Sequence, residues 1–315
     1  MFIDKPDLEA AALERRRLAA MRSVAEKRGR ALSAVRSFFA AEDFLEVNTP
    51  VRISTPALED YIEAIPSGDA WLRTSPEFHM KRLLAAGYDK IWQIGPCFRK
   101  DEEGVRHRLE FTMLEWYRAD ADWLMVLDDA EKLLCQVAVA VNGHPKFSFS
   151  EYDFDASLPW ERITVEEAFR NFAGENLDDV IEKGLFEEML VEKVEPHLGV
   201  NGRPTALMEY PLACSGLSRR IPGSRDRVER WEVYLAGLEL GNACSELADA
   251  EEQSARFRDC ALLRQREGRI VYSLDQHFLD AMRVGMPEAA GVAIGMDRLF
   301  MLLTGASSIH DVSFF

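Results

Sequence analysis

The period of hydrophobic and polar positions changes several times along the chain, and each change marks an element. From about Leu8 to Ala41 apolar residues return at helical spacing, with Ala31, Leu32, Val35, Phe38 and Phe39 on one stripe. FLEVNTPVRI breaks that helix with a short strand and Pro50. AWLRTSPEFHMKRLLAAG predicts strand, turn and helix, with Ser75 as N-cap, Pro76 in the first helical position and Gly87 after the end.

KIWQIGPCFR and LEFTMLEWYRA read as two strands of a hairpin around a long charged loop. In the second, Phe111, Met113, Glu115 and Tyr117 share one parity, while Thr112, Leu114 and Trp116 share the other. A strand that is apolar on both faces nevertheless places a glutamate between a methionine and a tyrosine. A carboxylate there needs a cationic or hydrogen-bonding partner, or it takes up a proton.

DWLMVLDDAEKLLCQVAVAV predicts a helix stopped at Asn142-Gly143. A capping box at Thr164–Glu167 starts another, closed near Gly174. The stretch 164–199 is mostly helical and reads as an insertion on the main sheet. Strands are expected at TALMEYPLA and RWEVYLAGLEL, then helices through EEQSARFRDCALLRQREG and DQHFLDAMRVG. GVAIGMDRLFMLLTG closes the pattern with an apolar strand, a glycine and a helix from Met296. Antiparallel strands with helices between them predict an α+β fold, with residues 1–315 forming one catalytic-sized unit. Neither GxGxxG nor GxxxxGK[ST] occurs, which disfavours dinucleotide-binding and P-loop folds.

The formal charge of −16, from 54 acidic against 38 basic residues, repels phosphate backbones and argues against broad nucleic-acid binding. The five cysteines form no CxxC pair, which fits reduced thiols in the cytoplasm. The N-terminus is charged throughout, so no secretory leader is expected, and no apolar run reaches the roughly 20 residues that span a bilayer.

Candidate chemistry starts with Arg99, at a strand end before the charged loop, and Arg298, at the start of the last helix. A guanidinium matches phosphate oxygens and also stacks on flat rings, so two of them facing Phe111 would make a nucleotide site. Either could equally be a surface arginine. Glu239 and Glu246 flank a Gly-Asn turn and would suit Mg²⁺ on nucleotide phosphates; spacing alone accounts for them as well by a solvated turn and a helix start. Glu115, with Tyr117 beside it, and Glu77 are acids that could hold a ligand ammonium. Glu77 is also what a helix dipole favours in its first turn.

Together these stretches resemble the class II aminoacyl-tRNA synthetases. FR followed by acids, then VRH and EFTMLEWY, is similar to motif 2; GVAIGMDRLFMLL is similar to motif 3, and FLEVNTPVRI to motif 1. TSPEFHMKRLL, EFTMLEWY and ELGNACSELADAEEQ resemble the lysyl branch, and TSPEFHMKRLL, EFTMLEWYRA and the alanine in GVAIG its stand-alone paralogues that modify elongation factor P. The resemblance runs from about Val24 to Leu303. It implies an antiparallel sheet flanked by helices, without the anticodon-binding OB domain, and a homodimer through motif 1. It implies ATP and Mg²⁺ as cofactors, β-lysine as substrate and a lysine ε-amino group of elongation factor P as acceptor, with no tRNA and no membrane.

By the same resemblance, Arg99, Lys100, Asp101, His107, Arg108, Phe111, Glu239, Leu240, Gly295 and Arg298 would bind ATP, with Arg99 and Arg298 catalytic. Ser75, Pro76, Glu77, Glu115, Tyr117, Glu246 and Ala293 would surround the amino acid, and Glu239 and Glu246 would hold the metal. The sequence departs from the family pattern at Lys100-Asp101 (usually Asn-Glu), at Arg108-Leu109 (usually Asn-Pro) and at Ala243 (usually Gly). Ala293 stands where true lysyl-tRNA synthetases have glycine. Two further readings remain: a truncated synthetase that charges tRNA, and an inactive regulatory paralogue.

Overall fold

The computed structural model describes residues 8–315; the first seven residues of the charged N-terminal stretch lie outside them. The expected long first helix is two: α1 (Leu8–Ala20), which buries nothing, and α2 (Arg22–Ala41), which buries Ala31, Ala34, Val35, Phe38 and Phe39. Met21 sits in a turn between them.

Strand β1 (Leu45–Glu46) leads to a small sheet of β2 (Arg52–Ile53), β3 (Pro66–Ser67) and β4 (Ala70–Leu72), and then to α3 (Glu77–Ala85). The predicted hairpin is β5 (Lys90–Phe98) with β6 (Glu110–Ala119), antiparallel along its whole length. Helix α4 (Trp123–Asn142) is capped by Asp122, whose carboxylate accepts from Leu124 N and Met125 N at 2.9 Å, and it ends at Gly143 in the left-handed region. A two-stranded ribbon, β7 (Lys146–Phe149) and β8 (Tyr152–Asp155), follows.

The helical stretch expected at 164–199 is the crossover between two parallel strands, β9 (Glu161–Thr164) and β10 (Thr205–Met208). It carries α5 (Val165–Ala168), α6 (Leu177–Glu182), α7 (Phe186–Met189) and two π-turns, and packs Phe169, Phe186, Leu190 and Val194 against Tyr210 and Tyr234. The strand expected through RWEVYLAGLEL is a hairpin: β11 (Arg230–Leu235) turns at Ala236-Gly237, both at positive φ, into β12 (Leu238–Ser245). Helices α8 (Ala250–Arg266) and α9 (Gln276–Gly285), strand β13 (Ala289–Gly295) and α10 (Met296–Thr304) complete the chain.

The main sheet has eight strands in the order β1-β5-β6-β13-β12-β11-β10-β9; all neighbours are antiparallel except the two edge pairs. One face, including Leu114, Trp116, Val292, Ile294, Trp231 and Val233, is sealed against α2, α4 and α10. Burying the leucine, isoleucine and tryptophan side chains of this face is worth about 2–5 kcal/mol each against truncation to alanine. The other face carries the polar residues. Glu115 pairs with Ala293, Ala293 with Asn242, and Asn242 with Glu232, so one row crosses four strands. All five cysteines are free, and among the described residues no helix is long and apolar enough to cross a membrane.

Candidate active site

The polar face holds two adjoining pockets. The first is built on β6 and on α3, which starts where the Ser75 hydroxyl accepts from Glu77 N (2.9 Å) and the Pro76 carbonyl accepts from Met80 N (3.1 Å). Ser75 Oγ donates to Glu115 Oε1 (2.7 Å), and Tyr117 Oη donates to Glu115 Oε2 (3.0 Å). Burial, reinforced by Glu77, pushes the Glu115 carboxyl up to about 8 against the pull of those two hydroxyls. Glu115 is 1% exposed, and no cation among the described residues is bonded to it.

Glu77 and Glu246 already have a cation. Lys81 Nζ lies 2.5 Å from Glu77 Oε1 and 2.5 Å from Glu246 Oε2, in a site where both Lys81 and Glu246 are 2% exposed. Burial alone would lower the pKa of this ammonium, but Glu246 and Glu77 outweigh it and hold Lys81 charged. Gly291 completes the wall: any Cβ there would collide with the Tyr117 ring and Glu246 Oε1.

The second pocket is a cavity of about 520 Å³, lined by Arg99, His107, Phe111, Glu239, Gly295 and Arg298, among others. The Arg99 guanidinium lies over the Phe111 ring at 5.3 Å, and its buried Nε has no hydrogen-bond partner among the described residues, a donor left for an anion. Arg298 NH1 donates to the Glu239 carbonyl (2.7 Å), and its NH2 meets His107 Nε2. At Gly295 a Cβ would touch only Leu240 O at 3.7 Å and Arg298 Cδ at 3.9 Å, so the protein itself leaves that space open. Leu240 buries its side chain in the core and offers the site only its backbone. Ala293 lines this cavity beside Asn242, one residue across the sheet from Glu115.

Several expectations need correction. Lys100 and Asp101 do not line the cavity; Lys100 N is tied to Glu63 O, Asp101 turns at positive φ, and Glu102 approaches Arg99 instead (3.8 Å). Arg108 reaches the cavity wall but donates to Ser313 Oγ and the Phe315 carbonyl. The metal pair Glu239 and Glu246 is not brought together. The two carboxylates face different cations, Arg298 and Lys81.

The spatial neighbour of Glu239 is Glu232. A bulge between Val233 and Tyr234 makes Leu240 the extra residue of β12, which turns Glu239 onto the face of Glu232 and Tyr234. Glu232 accepts from Tyr210 Oη (2.7 Å), Tyr234 Oη (2.7 Å) and Arg230 NH2 (2.6 Å). Burial and then Glu232 raise the pKa of Glu239, against Arg298. Burial, Glu239 and Glu232 push Glu195, from the crossover, up to about 7. Among the described residues no three His, Cys, Asp or Glu side chains converge as a ready-made metal site. Mutual repulsion between Glu232 and Glu239 is nevertheless what a divalent cation carried in on phosphates relieves, and such cations use one or two carboxylates.

Lys81, Glu232 and Glu195 were not foreseen. Lys81 follows Glu77 by four positions on a helix, and Glu232 sits between Arg230 and Tyr234 on one face of an apolar strand, the signature that singled out Glu115.

A family model described as tRNA synthetases class II (D, K and N) matches residues 6–315. The chain is 39% identical to the elongation factor P–(R)-β-lysine ligase of Haemophilus influenzae, over 91% of this chain and 92% of that protein. It is 35% identical to the lysine–tRNA ligase of Prochlorococcus marinus, over 92% of this chain and 63% of that protein. To the lysine–tRNA ligase of Dehalococcoides mccartyi it is 34% identical, over 91% and 63%. The chain thus spans 63% of the length of these two lysine–tRNA ligases.

Proposed function

The chain belongs to the class II tRNA synthetases of the D, K and N group, and on that premise we propose that it activates (R)-β-lysine with ATP and transfers it to a lysine ε-amino group of elongation factor P. The observation that carries the activating half is the joining of an arginine–phenylalanine cavity to a buried acidic pocket. Glu115, hydrogen-bonded and without a cation, is the receptor for a substrate ammonium. The acceptor half is supported by the near end-to-end likeness to the Haemophilus influenzae ligase, by the net charge of −16, and by the methyl of Ala293 between the two pockets.

In the first step a carboxylate oxygen of the amino acid attacks the α-phosphorus and pyrophosphate leaves. Arg99, with a free buried Nε, and Arg298, anchored on the β11–β12 hairpin, balance charge on the phosphates while Phe111 carries the adenine. Catalysis is positioning and electrostatics, and no protein nucleophile takes part. Glu232 and Glu239 would hold Mg²⁺, which when bound screens the phosphate charge. In the second step the acceptor amine displaces AMP. A homodimer working in the cytoplasm completes the reading.

ATP–pyrophosphate exchange measured with α-lysine and both β-lysine isomers tests the activating half. Exchange greatest with (R)-β-lysine is expected. Exchange with no isomer would leave an inactive paralogue, and labelling of bulk tRNA by α-lysine would favour the synthetase reading.

A further inference from the structure

A cleft of about 1040 Å³ opens beside the two pockets and joins both. It shares Arg230 and Asn242 with the nucleotide cavity, and it reaches Glu77 and Cys244 at the edge of the amino-acid pocket. It therefore meets the site at the row containing Ala293, where an activated carboxyl would lie. One wall is the loop Leu58–Ile62 between β2 and β3. The buried guanidinium of Arg264 fixes that loop, donating to the carbonyls of Glu59 (2.5 Å) and Ile62 (3.1 Å) and to Glu63 Oε1 (2.7 Å). The loop backbone is thus clamped, while the Glu59 side chain, on the cleft wall, makes no hydrogen bond or ion pair among the described residues.

Resting on the reading above, we propose that this cleft admits the acceptor lysine and that Glu59 is the base that takes the proton from its ammonium. The cleft wall carries nine carboxylates against five arginines, and after pairs such as Arg227–Asp178 the excess of acid favours a cationic guest over an anionic one. The groups facing Glu59 are Arg99 just beyond β5, Glu77 from α3, Arg230 from β11, Cys260 from α8 and Asp60 on its own loop. Burial pushes the Glu59 carboxyl up to about 7; Arg99 and Arg230 oppose that, and Glu77 and Asp60 reinforce it. A base poised there is both ionised and able to accept a proton near neutrality.

The acceptor ammonium gives one proton to the Glu59 carboxylate. The neutral nitrogen attacks the acyl carbon of the adenylate, a C–N bond forms, and the C–O bond to phosphate breaks with its electron pair leaving on AMP. The surplus nitrogen proton passes to solvent, as does the one on Glu59, and the amide remains.

The test is single-turnover transfer from preformed adenylate, by wild type and Glu59→Gln, to elongation factor P and to hydroxylamine, an acceptor already uncharged at neutral pH. The expected result is a loss of about 10²–10⁴-fold towards the protein, little loss towards hydroxylamine, and disappearance of the rise in rate through pH 7. Melting curves control for folding, and Glu59→Asp restores part of the rate. Transfer to the protein within threefold of wild type overturns the proposal, as does an equal loss towards both acceptors. A wild type that forms adenylate yet never modifies elongation factor P defeats the parent reading, and the proposal with it.

Discussion

The amino-acid pocket and the nucleotide cavity are both rich in charge, but they handle it differently. In the first, the chain neutralises two of its own carboxylates: Lys81 bridges Glu77 and Glu246 at 2.5 Å each. Glu115 alone is left, with hydroxyl partners, as the acid open to a guest. In the second, Glu195, Glu232 and Glu239 repel one another, and Arg99 keeps a buried donor unpartnered. One site is assembled in advance; the other is completed by its ligand. Preorganisation suits discrimination between similar amines, whereas unrelieved charge suits the grip on a triphosphate.

The contrast breaks most sharply at Arg298. Arg298→Ala should lower ATP–pyrophosphate exchange by about 10³-fold or more without shifting the melting temperature much, because the guanidinium serves the cavity and not the core. Near-normal exchange would refute its role. On the preassembled side, Lys81→Met strands two buried acids and should cost about 3–5 kcal/mol of stability. It should also raise the amino-acid KM by about one to two orders of magnitude while sparing the ATP KM. Lys81→Met with Glu246→Gln should regain stability but not substrate binding; recovery of both would mean that Lys81 only fills space.

Next in size is the pH dependence set by Glu115. Its proton is held up to about 8, so an incoming ammonium must expel it. The amino-acid KM should therefore fall by up to about tenfold per pH unit as pH rises towards 8, then level off. The stability contribution runs the opposite way: fully present below the ordinary carboxylate range, it is lost as pH rises through 8. A KM that ignores pH between 6 and 8 would contradict this, and Glu115→Gln should abolish the dependence. Ala293→Gly removes one methyl between the pockets and should move preference towards α-lysine by about tenfold; an unchanged isomer ratio counts against the pocket argument. Smallest is Arg108→Ala. With that side chain tied to Ser313 and Phe315, the ATP KM should stay within about threefold of wild type, and a larger rise would return Arg108 to the phosphates.

Much of the fold was legible because local signals agreed with the tertiary outcome. The capping box at Thr164, the stop at Gly143 and the alternation of EFTMLEWY each describe an element that packing then uses. Chain reversals needed more: Ala236-Gly237 bends the chain where the apolar pattern runs straight on, and Met21 interrupts a helix whose stripe starts only later. In the site, Glu115 was legible as a polar residue in an apolar strand. Glu239 and Glu246 were paired by resemblance alone, and spacing could not show that each would meet a cation of its own, Arg298 and Lys81, or that the bulge at Leu240 would set Glu239 beside Glu232. Lys81 was missed because a lysine four residues after a glutamate is usually a solvated pair. Only the packing of α3 against β6 and α9, with Glu246 arriving just beyond β12, shows that it is buried.

The central claim is that both sites serve one ligation onto a protein amine. Intact-mass analysis of purified elongation factor P, after incubation with this protein, ATP and each lysine isomer, tests it most directly. The account predicts an ATP-dependent gain of a single lysyl residue, greatest with (R)-β-lysine; an unmodified factor alongside lysine-charged tRNA would contradict it.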